Sequence, residues 1–190
     1  MQPFYLSLPT RIHFGKNITK SAFSKEKDLL GDKVLLVTCG TKFAELGYIS
    51  LIIESITSAR ENARIFEFWQ ISENPRLEEV NAGITYGKSK GVTCVVGFGG
   101  GSAMDAAKAI AIGLSEPDGI EPLLFEGKVP TSALPLILVP TTAGTGSELS
   151  QGAIISGRGQ KAAIRGYHVY ARVAIVDSYF RNLPFRGTLF

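Results

Sequence analysis

Residues 97–108, Gly-Phe-Gly-Gly-Gly-Ser-Ala-Met-Asp-Ala-Ala-Lys, decide the fold of this chain. The apolar run 92–98 predicts a buried strand leading into them, and the spacing of apolar residues over 102–112 predicts a helix leading out. Glycine lets the backbone approach a ligand closely, and a helix N-terminus presents unpaired N–H groups to an anion. The turn is therefore predicted to hold a pyrophosphate through Gly99, Gly100, Gly101 and Ser102.

Two side chains refine this prediction. Ser102 is expected to cap the helix with its hydroxyl, and Asp105, one turn further on, is expected to point back toward the ligand. The alternative is a tight turn followed by an ordinary capping box. A Walker phosphate loop does not fit, because Lys108 lies well inside the helix. The standard dinucleotide fingerprint fits poorly as well, because it opens the first strand–helix unit of a fold and this turn follows the third strand.

Apolar strands alternate with helical segments along the whole chain. Strands are predicted at 34–38, 65–69, 92–98, 136–139, 153–156 and 173–176, with a long helix over 77–90 between the second and third. This order predicts one α/β domain over residues 1–190, a Rossmann-like parallel sheet with helices on both faces. Residues 4–8 and 11–14 are predicted to form an N-terminal β-hairpin at the sheet edge, and residues 122–135 a surface loop.

Two further segments follow predicted strands and should share the ligand edge of the sheet. Residues 140–148 contain four hydroxyl side chains that can bond ribose, amide or phosphate oxygens, although a loop of this kind can also satisfy its own backbone: Thr141, Thr142, Thr145 and Ser147. The first strand ends in Gly40, Thr41 and Lys42, where an NAD-binding fold often places a carboxylate for the ribose 2′-hydroxyl. A hydroxyl and a lysine suit a 2′-phosphate, so NADP is predicted over NAD.

Composition excludes several classes of protein. The net charge is only +3 and the basic residues are scattered, so no nucleic-acid surface is predicted. No stretch approaches the ~20 apolar residues of a membrane span, and no signal peptide is apparent, which predicts a cytoplasmic protein with two free cysteines. The two histidines are far apart, so His13 is predicted to be structural, His168 to lie at the surface, and no metal site is expected within the chain.

These motifs resemble those of the iron-dependent, or group III, alcohol dehydrogenases. The turn, written Gly-Gly-Gly-Ser-x-x-Asp-x-x-Lys, is similar to the cofactor signature of that family, and residues 140–148 are similar to its second signature. Asn74-Pro75 and the opening stretch 9–15 match as well, so the likeness covers the whole chain.

The resemblance implies that this α/β domain binds NAD or NADP and that an all-helical C-terminal domain, absent from this chain, holds Fe²⁺ or Zn²⁺. By carry-over, the glycine turn binds the pyrophosphate, Asp105 lies on the nicotinamide side, and Thr141 and Thr142 lie on the adenine and phosphate side. Lys161 binds the nicotinamide ribose, and Asn74 belongs to the same site. A homodimer paired through the N-terminal hairpin is also expected.

The function predicted from the sequence is therefore that of an NAD(P)-dependent, metal-dependent alcohol dehydrogenase or aldehyde reductase, present here as its cofactor-binding domain and inactive alone. A small alcohol or aldehyde is the expected substrate. The alternative is a non-catalytic nucleotide-binding or interaction module. Among enzymes, glycerol dehydrogenase and dehydroquinate synthase are the runners-up.

Overall fold

Strands and helices alternate through residues 7–180, the part of the chain that this computed structural model describes. The strands are β1 (Arg11–Gly15), β2 (Lys33–Val37), β3 (Arg64–Phe68), β4 (Cys94–Gly99), β5 (Leu136–Pro140), β6 (Gly152–Gly157), β7 (Gln160–Arg165) and β8 (Val173–Asp177). The helices are α1 (Thr19–Lys25), α2 (Lys42–Glu45), α3 (Tyr48–Ala59), α4 (Leu77–Lys90), α5 (Gly101–Gly113) and α6 (Glu121–Phe125), with 3₁₀ turns at Ser147–Leu149 and Tyr167–Val169.

Six of these strands form a parallel sheet in the order β1-β8-β5-β4-β2-β3. The chain runs outward from β2 to β3 and then returns to place β4 on the other side of β2. The strand order therefore reverses between β2 and β4. In open α/β sheets, ligands bind at the carboxyl ends of the strands that flank such a reversal. The glycine turn follows β4 and thus lies at this point.

Two apolar layers cover the sheet, one on each face. Along β2, Val34 and Leu36 belong to one core cluster, and Leu35 and Val37 belong to the other. This alternation follows from the two-residue period of a strand. Helices α1 and α3 pack against the first face, and α4 and α5 pack against the second. The predicted parallel sheet with helices on both faces is confirmed.

The N-terminal strand β1 lies at the edge of the sheet, as predicted. It pairs in parallel with β8, so that His13 lies opposite Ile175. The partner segment predicted at 4–8 falls mostly outside the described residues. Asp177, at the end of β8, accepts hydrogen bonds from the backbone N–H groups of Asn17 and Thr19. The last strand of the sheet therefore also holds the start of α1.

Three local predictions need correction. The segment predicted as a loop at 122–135 begins within a short helix, α6, whose Leu123 and Leu124 are buried against the core. The strand β7 was not predicted from the sequence. It pairs antiparallel with β6 as a two-stranded hairpin separate from the main sheet. The strand predicted at 153–156 is therefore real, but it belongs to this β6–β7 hairpin.

Both cysteines are free thiols. Cys94 is fully buried in β4, and Cys39 is half-buried at the end of β2. Burial raises the pKa of the Cys94 thiol to about 12 and that of Cys39 to about 11, so neither is an activated nucleophile. Across residues 7–180, every helix is too short or too polar to cross a bilayer.

Candidate functional site

The glycine turn joins β4 to α5 in a conformation that only glycine adopts readily. Gly99 has a φ of 145°, and a Cβ at this position would lie 2.8 Å from Cβ of Ala103. Two residues earlier, a Cβ on Gly97 would lie 2.7 Å from Cβ of Ala107. Both glycines allow α5 to lie directly on β4. The N-terminus of this 13-residue helix therefore opens at the carboxyl edge of the sheet.

The cap of α5 is not the predicted one. Gly100 occupies the N-cap position without a side-chain hydrogen bond, and Ser102 is already inside the first turn. The Ser102 hydroxyl accepts a hydrogen bond from the backbone N–H of Asn74 at 3.2 Å. The prediction that Ser102 caps the helix is wrong, because the turn reaches its helical geometry one residue earlier. In the described part of the chain, the N–H groups of the first turn consequently have no side-chain acceptor.

Asp105 also differs from its predicted role. Its Oδ1 accepts the Ser147 hydroxyl at 2.6 Å, and its Oδ2 accepts the backbone N–H of Ile154 at 3.0 Å. The carboxylate therefore binds neighbouring protein segments instead of pointing back along the helix. An ordinary capping box is excluded for the same reason, because neither Asp105 oxygen bonds the start of α5.

The hydroxyl-rich loop after β5 lies beside the glycine turn, as its position in the sequence predicts. The backbone N–H of Thr141 donates to the carbonyl of Gly99 at 2.9 Å. A Cβ on Gly100 would lie 3.5 Å from Oγ1 of Thr142, and one on Gly101 would lie 3.1 Å from Cγ2 of Thr145. The Oγ1 atom of Thr141 is buried and has no hydrogen-bond partner within residues 7–180. The two motifs thus form one surface, and it includes an unsatisfied hydroxyl.

A cavity of about 480 Å³ opens from this surface, between the start of α5 and the β6–β7 hairpin. Half of the predicted site residues line it, together with side chains of the hairpin and of the segment that precedes it. The predicted residues in its wall are Asn74, Gly101, Ser102, Asp105, Thr145, Ser147 and Lys161. Pro75, Ser150, Gln151, Gly152, Ile154, Ser156, Ala163 and Arg165 complete the lining.

Asn74 connects the two sides of the cavity. It adopts a positive φ of 58°, which asparagine tolerates better than most residues. Its N–H reaches Ser102 on α5, while its Oδ1 accepts a hydrogen bond from Nζ of Lys161 at 2.7 Å. Lys161 has three N–H donors, so this bond leaves it able to bind a ligand. The structure therefore brings Asn74, Ser102 and Lys161 together at one end of the cavity.

The β6–β7 hairpin supplies residues that the sequence analysis did not single out. Lys161, Ala163 and Arg165 alternate along β7, and all three line the cavity. Ile154 of β6 lines the same wall with half of its surface exposed, which gives it an apolar section. Residues 160–165 read Gln-Lys-Ala-Ala-Ile-Arg and have no regular alternation of polar and apolar residues, so the two-residue period of a strand does not reveal β7 in the sequence.

Lys108 is the other residue that the site prediction omitted. It is fully buried beneath the cavity, and its Nζ donates to oxygens of residues 147–152. Burial lowers the pKa of Lys108 to about 8, although the charges of Asp105 and Glu148 act in the opposite direction. The Oε2 atom of Glu148 is itself buried without a hydrogen-bond partner in the described part of the chain.

The residues at the end of β2 are not part of the cavity wall. Gly40 is exposed with a φ of 61°, and Thr41 and Lys42 begin α2 on the surface. The Thr41 hydroxyl donates to the carboxylate of Glu45 at 2.9 Å. The sequence 40–42 predicts no carboxylate at this strand end. The structure corrects this prediction, because one turn of α2 brings the carboxylate of Glu45 back to Thr41.

No three His, Cys, Asp or Glu side chains among residues 7–180 lie close enough together to hold a metal ion. His13 instead lies 2.8 Å from Glu26, which also binds Arg11. These residues therefore do not fit the metal that the resemblance implies. The cavity fits a dinucleotide better: Gly101 at a helix N-terminus and Lys161 line it, and the unsatisfied hydroxyl of Thr141 is buried beside the glycine turn.

Comparison with known proteins decides the family. The family model described as iron-containing alcohol dehydrogenase matches residues 9–178. The chain belongs to this family. Among its relatives are the sulfoacetaldehyde reductase of Bilophila wadsworthia, 30% identical over 94% of this chain, and the NADPH-dependent aldehyde reductase YqhD of Escherichia coli, 33% identical over 97%. The alignments cover 46% and 48% of those two proteins.

Solved structures of this iron-containing alcohol dehydrogenase family share the fold. The NADH-dependent butanol dehydrogenase A of Thermotoga maritima superimposes with a TM-score of 0.86 at 27% identity over 97% of this chain. The sulfoacetaldehyde reductase of Bifidobacterium kashiwanohense, solved with NAD⁺, gives 0.83 at 30% identity over 95%. These matches cover 46% and 48% of the two solved chains. The present chain spans about half the length of its relatives.

Proposed function

We propose that this chain binds a nicotinamide dinucleotide in the cavity between α5 and the β6–β7 hairpin, as the cofactor-binding part of an alcohol dehydrogenase or aldehyde reductase. The observation that carries the proposal is the junction of the glycine turn with the hydroxyl-rich loop. There, an uncapped helix N-terminus opens into a cavity of about 480 Å³. A volume of this order is typical of small-molecule sites.

The shape and charge of the site support a diphosphate at the start of α5. Among residues 7–180, the N–H groups of the first helical turn have no side-chain acceptor, and the helix dipole favours a negative charge there. Gly100 and Gly101 carry no side chain that would fill the space beside Thr142 and Thr145. We assign the pyrophosphate to residues 99–102, and the adenine and phosphate side to Thr141 and Thr142.

The nicotinamide half is assigned to the cavity itself. Lys161 would bind the nicotinamide ribose, held in place by its hydrogen bond to Asn74. Asp105 lines this half, but its two oxygens are occupied, so it would act by holding Ser147 and Ile154. The exposed side chain of Ile154 offers an apolar surface for the nicotinamide ring.

A bound nicotinamide supplies hydride transfer to or from a carbon of the substrate, and the protein supplies orientation. The relatives carry names of aldehyde, sulfoacetaldehyde and butanol enzymes, which supports a small alcohol or aldehyde as the substrate class. The metal dependence implied by the family is proposed for the whole protein. Residues 7–180 offer no cluster of ligands for this metal.

NADP is the proposed preferred form of the cofactor. The relatives include an NADPH-dependent and an NADH-dependent enzyme and one solved with NAD⁺, so the preference rests on the end of β2. Lys42 and the Thr41 hydroxyl suit a 2′-phosphate, while the Glu45 carboxylate next to Thr41 opposes one. We expect Glu45 to reduce the preference for NADPH without reversing it.

Titration of the chain with NADH and NADPH, followed by nucleotide fluorescence, tests the proposal. We expect both to bind, NADPH more tightly, and Lys161→Met to weaken binding of both by about tenfold or more, the value of a charge-assisted hydrogen bond. Lys88→Met, the same chemical change on an exposed part of α4, serves as the control and should leave binding unchanged.

The outcomes separate the parts of the proposal. Absence of binding by either nucleotide would overturn the proposed function. Tighter binding of NADH would overturn only the interpretation of Gly40, Thr41 and Lys42. If NADPH binds through this strand end, Lys42→Met should lower the affinity for NADPH and leave the affinity for NADH unchanged.

A further inference from the structure

Lys108 is a buried cation in a place where the fold does not require one. It lies in the middle of α5, fully excluded from solvent, and it is among the largest completely buried side chains of residues 7–180. Burying an ammonium group costs free energy unless hydrogen bonds and opposite charges compensate it. A methionine or leucine would fill the same volume without this cost. The contacts of the ammonium group therefore indicate what it does.

All of its hydrogen-bond acceptors lie in one short segment, residues 147–152. Nζ donates to Oγ of Ser147 at 3.1 Å, to Oγ and the carbonyl oxygen of Ser150 at 3.0 and 3.2 Å, and to the carbonyl oxygen of Gly152 at 2.8 Å. Three N–H donors are thus shared among four oxygens. Ser147, Ser150 and Gly152 line the cavity, whereas Lys108 does not.

A second set of hydrogen bonds extends this attachment. Ser147 accepts from Lys108 and donates its own proton to Asp105 at 2.6 Å. The other oxygen of Asp105 accepts the backbone N–H of Ile154. Nζ of Lys108 also lies 3.8 Å from Oδ1 of Asp105, which adds a charge interaction within α5. One wall of the cavity, from Ser147 to Ile154, is therefore fixed to α5 by these two side chains.

We propose that Lys108 is a positioning residue for the cofactor cavity: its ammonium group fixes the segment 147–154 to α5 and orients the Ser147 hydroxyl, without contacting the cofactor. This inference rests on the proposed function. Without the ammonium group, the carbonyl oxygen of Ser150 loses its Lys108 donor and that of Gly152 keeps the Ser150 hydroxyl at 3.2 Å. Leaving a partly buried acceptor unpaired costs free energy, which is expected to move the segment.

A double-mutant cycle tests the inference. The dissociation constant of NADPH is measured for wild type, Lys108→Met, Ser147→Ala and the double variant, with Lys88→Met as the control for loss of a lysine. Each single substitution is expected to weaken NADPH binding by about tenfold. The double variant is expected to bind no more weakly than the single variant that has the lower affinity. Because the coupling between the two residues is measured, a general loss of stability does not imitate the result.

The contrary outcomes are equally specific. Unchanged affinity in a folded Lys108→Met, or fully additive losses in the double variant, would overturn the inference. If Lys108→Met does not fold, Ser150→Ala removes one acceptor and leaves the ammonium buried. This substitution is then expected to lower the affinity for NADPH by about threefold, and unchanged affinity would count against the proposal.

Hydrogen exchange without cofactor keeps this inference separate from the proposed function. In Lys108→Met, the amide of Ile154 should exchange at least about tenfold faster than in wild type, because the attachment through Asp105 is weakened. Wild type that binds neither nucleotide overturns the proposed function but leaves this readout intact. Unchanged exchange in the variant overturns the attachment itself.

Discussion

Gly99 is the residue at which backbone conformation and packing place the strictest demand on the sequence. Its φ of 145° is a value that side chains of L-residues rarely allow, and the Cβ of Ala103 leaves no space for a methyl group. The same residue accepts the N–H of Thr141 and so joins the two motifs of the site. A change here should affect both the fold and the proposed cofactor site.

We expect Gly99→Ala to lower the free energy of unfolding by about 2–4 kcal/mol, from the unfavourable φ and the overpacking against α5. Urea denaturation measures the loss. Gly152→Ala is the control, because a Cβ there meets no atom within 4 Å and φ lies outside the strained range. Its stability should stay within about 0.5 kcal/mol of wild type. Equal stability of the two variants would contradict this account of the turn.

At the scale of elements, Asp177 links the end of β8 to the start of α1. Its carboxylate accepts hydrogen bonds from the backbone N–H groups of Asn17, Ile18 and Thr19 and from the Thr19 hydroxyl. Burial raises the pKa of Asp177, but these hydrogen bonds outweigh it and hold the pKa below its ordinary value. A carboxylate at the first turn of a helix also interacts favourably with the helix dipole.

Asp177→Asn is expected to destabilise the chain by about 2–3 kcal/mol at pH 7, since the amide accepts fewer and weaker hydrogen bonds. A group whose folded-state pKa is lowered stabilises the fold above its unfolded pKa and loses this contribution as the pH falls. The difference in stability between wild type and variant should therefore be largest at neutral pH and shrink below about pH 4. A difference that stays constant down to acid pH would assign the effect to packing instead of charge.

The two sides of the cavity illustrate how elements combine into a site. On one side, α5 leaves the sheet at the glycine turn. On the other, the β6–β7 hairpin lies outside the sheet and packs along α5, with Ala153 and Ile155 buried against it. Asn74 connects the two sides through Ser102 and Lys161, and Lys108 with Asp105 connects α5 to the segment 147–154. Two separate sets of polar contacts thus join the two sides of the cavity.

At the scale of the whole molecule, we expect cofactor binding to be separable from catalytic turnover. The 190-residue chain, supplied with iron or zinc and oxidised cofactor, is expected to bind nucleotide but not to oxidise ethanol or butanol, because residues 7–180 hold no cluster of metal ligands. Reduced nicotinamide formation, followed by absorbance, measures this. The control is the same assay with a chelator. Metal-dependent turnover that the chelator abolishes would contradict the prediction and the division of function that the family implies.

The sequence predicts a feature of this structure well when the residues that form the feature are close together in the chain or follow a general rule of sheet topology. The bounds of α4, Leu77–Lys90, follow from periodicity alone, and the strands of the sheet follow from apolar runs of the right length. The nearness of the glycine turn to the hydroxyl-rich loop follows as well, because both succeed strands of one parallel sheet. These features depend on local patterns or on a general rule of topology.

The features that local patterns did not determine depend on partners that are distant in sequence. β1 pairs with β8, so that Arg11 lies opposite Val173. Ser102 accepts from Asn74 instead of capping its own helix, and Asp105 binds the segment after β5. Polar side chains have several possible partners of similar energy. Only the packing of the surrounding elements selects among them.

The sequence by itself therefore determined the α/β class, the parallel sheet, the glycine turn and the family, because each depends on the order of residues along the chain. The tertiary structure decided which polar groups meet: the place of the β6–β7 hairpin as a wall of the cavity, the contacts of Asp105, and the burial of Lys108 beneath it. A charge acquires its role from the groups around it in space, and burial makes each such contact stronger and each missing contact more costly.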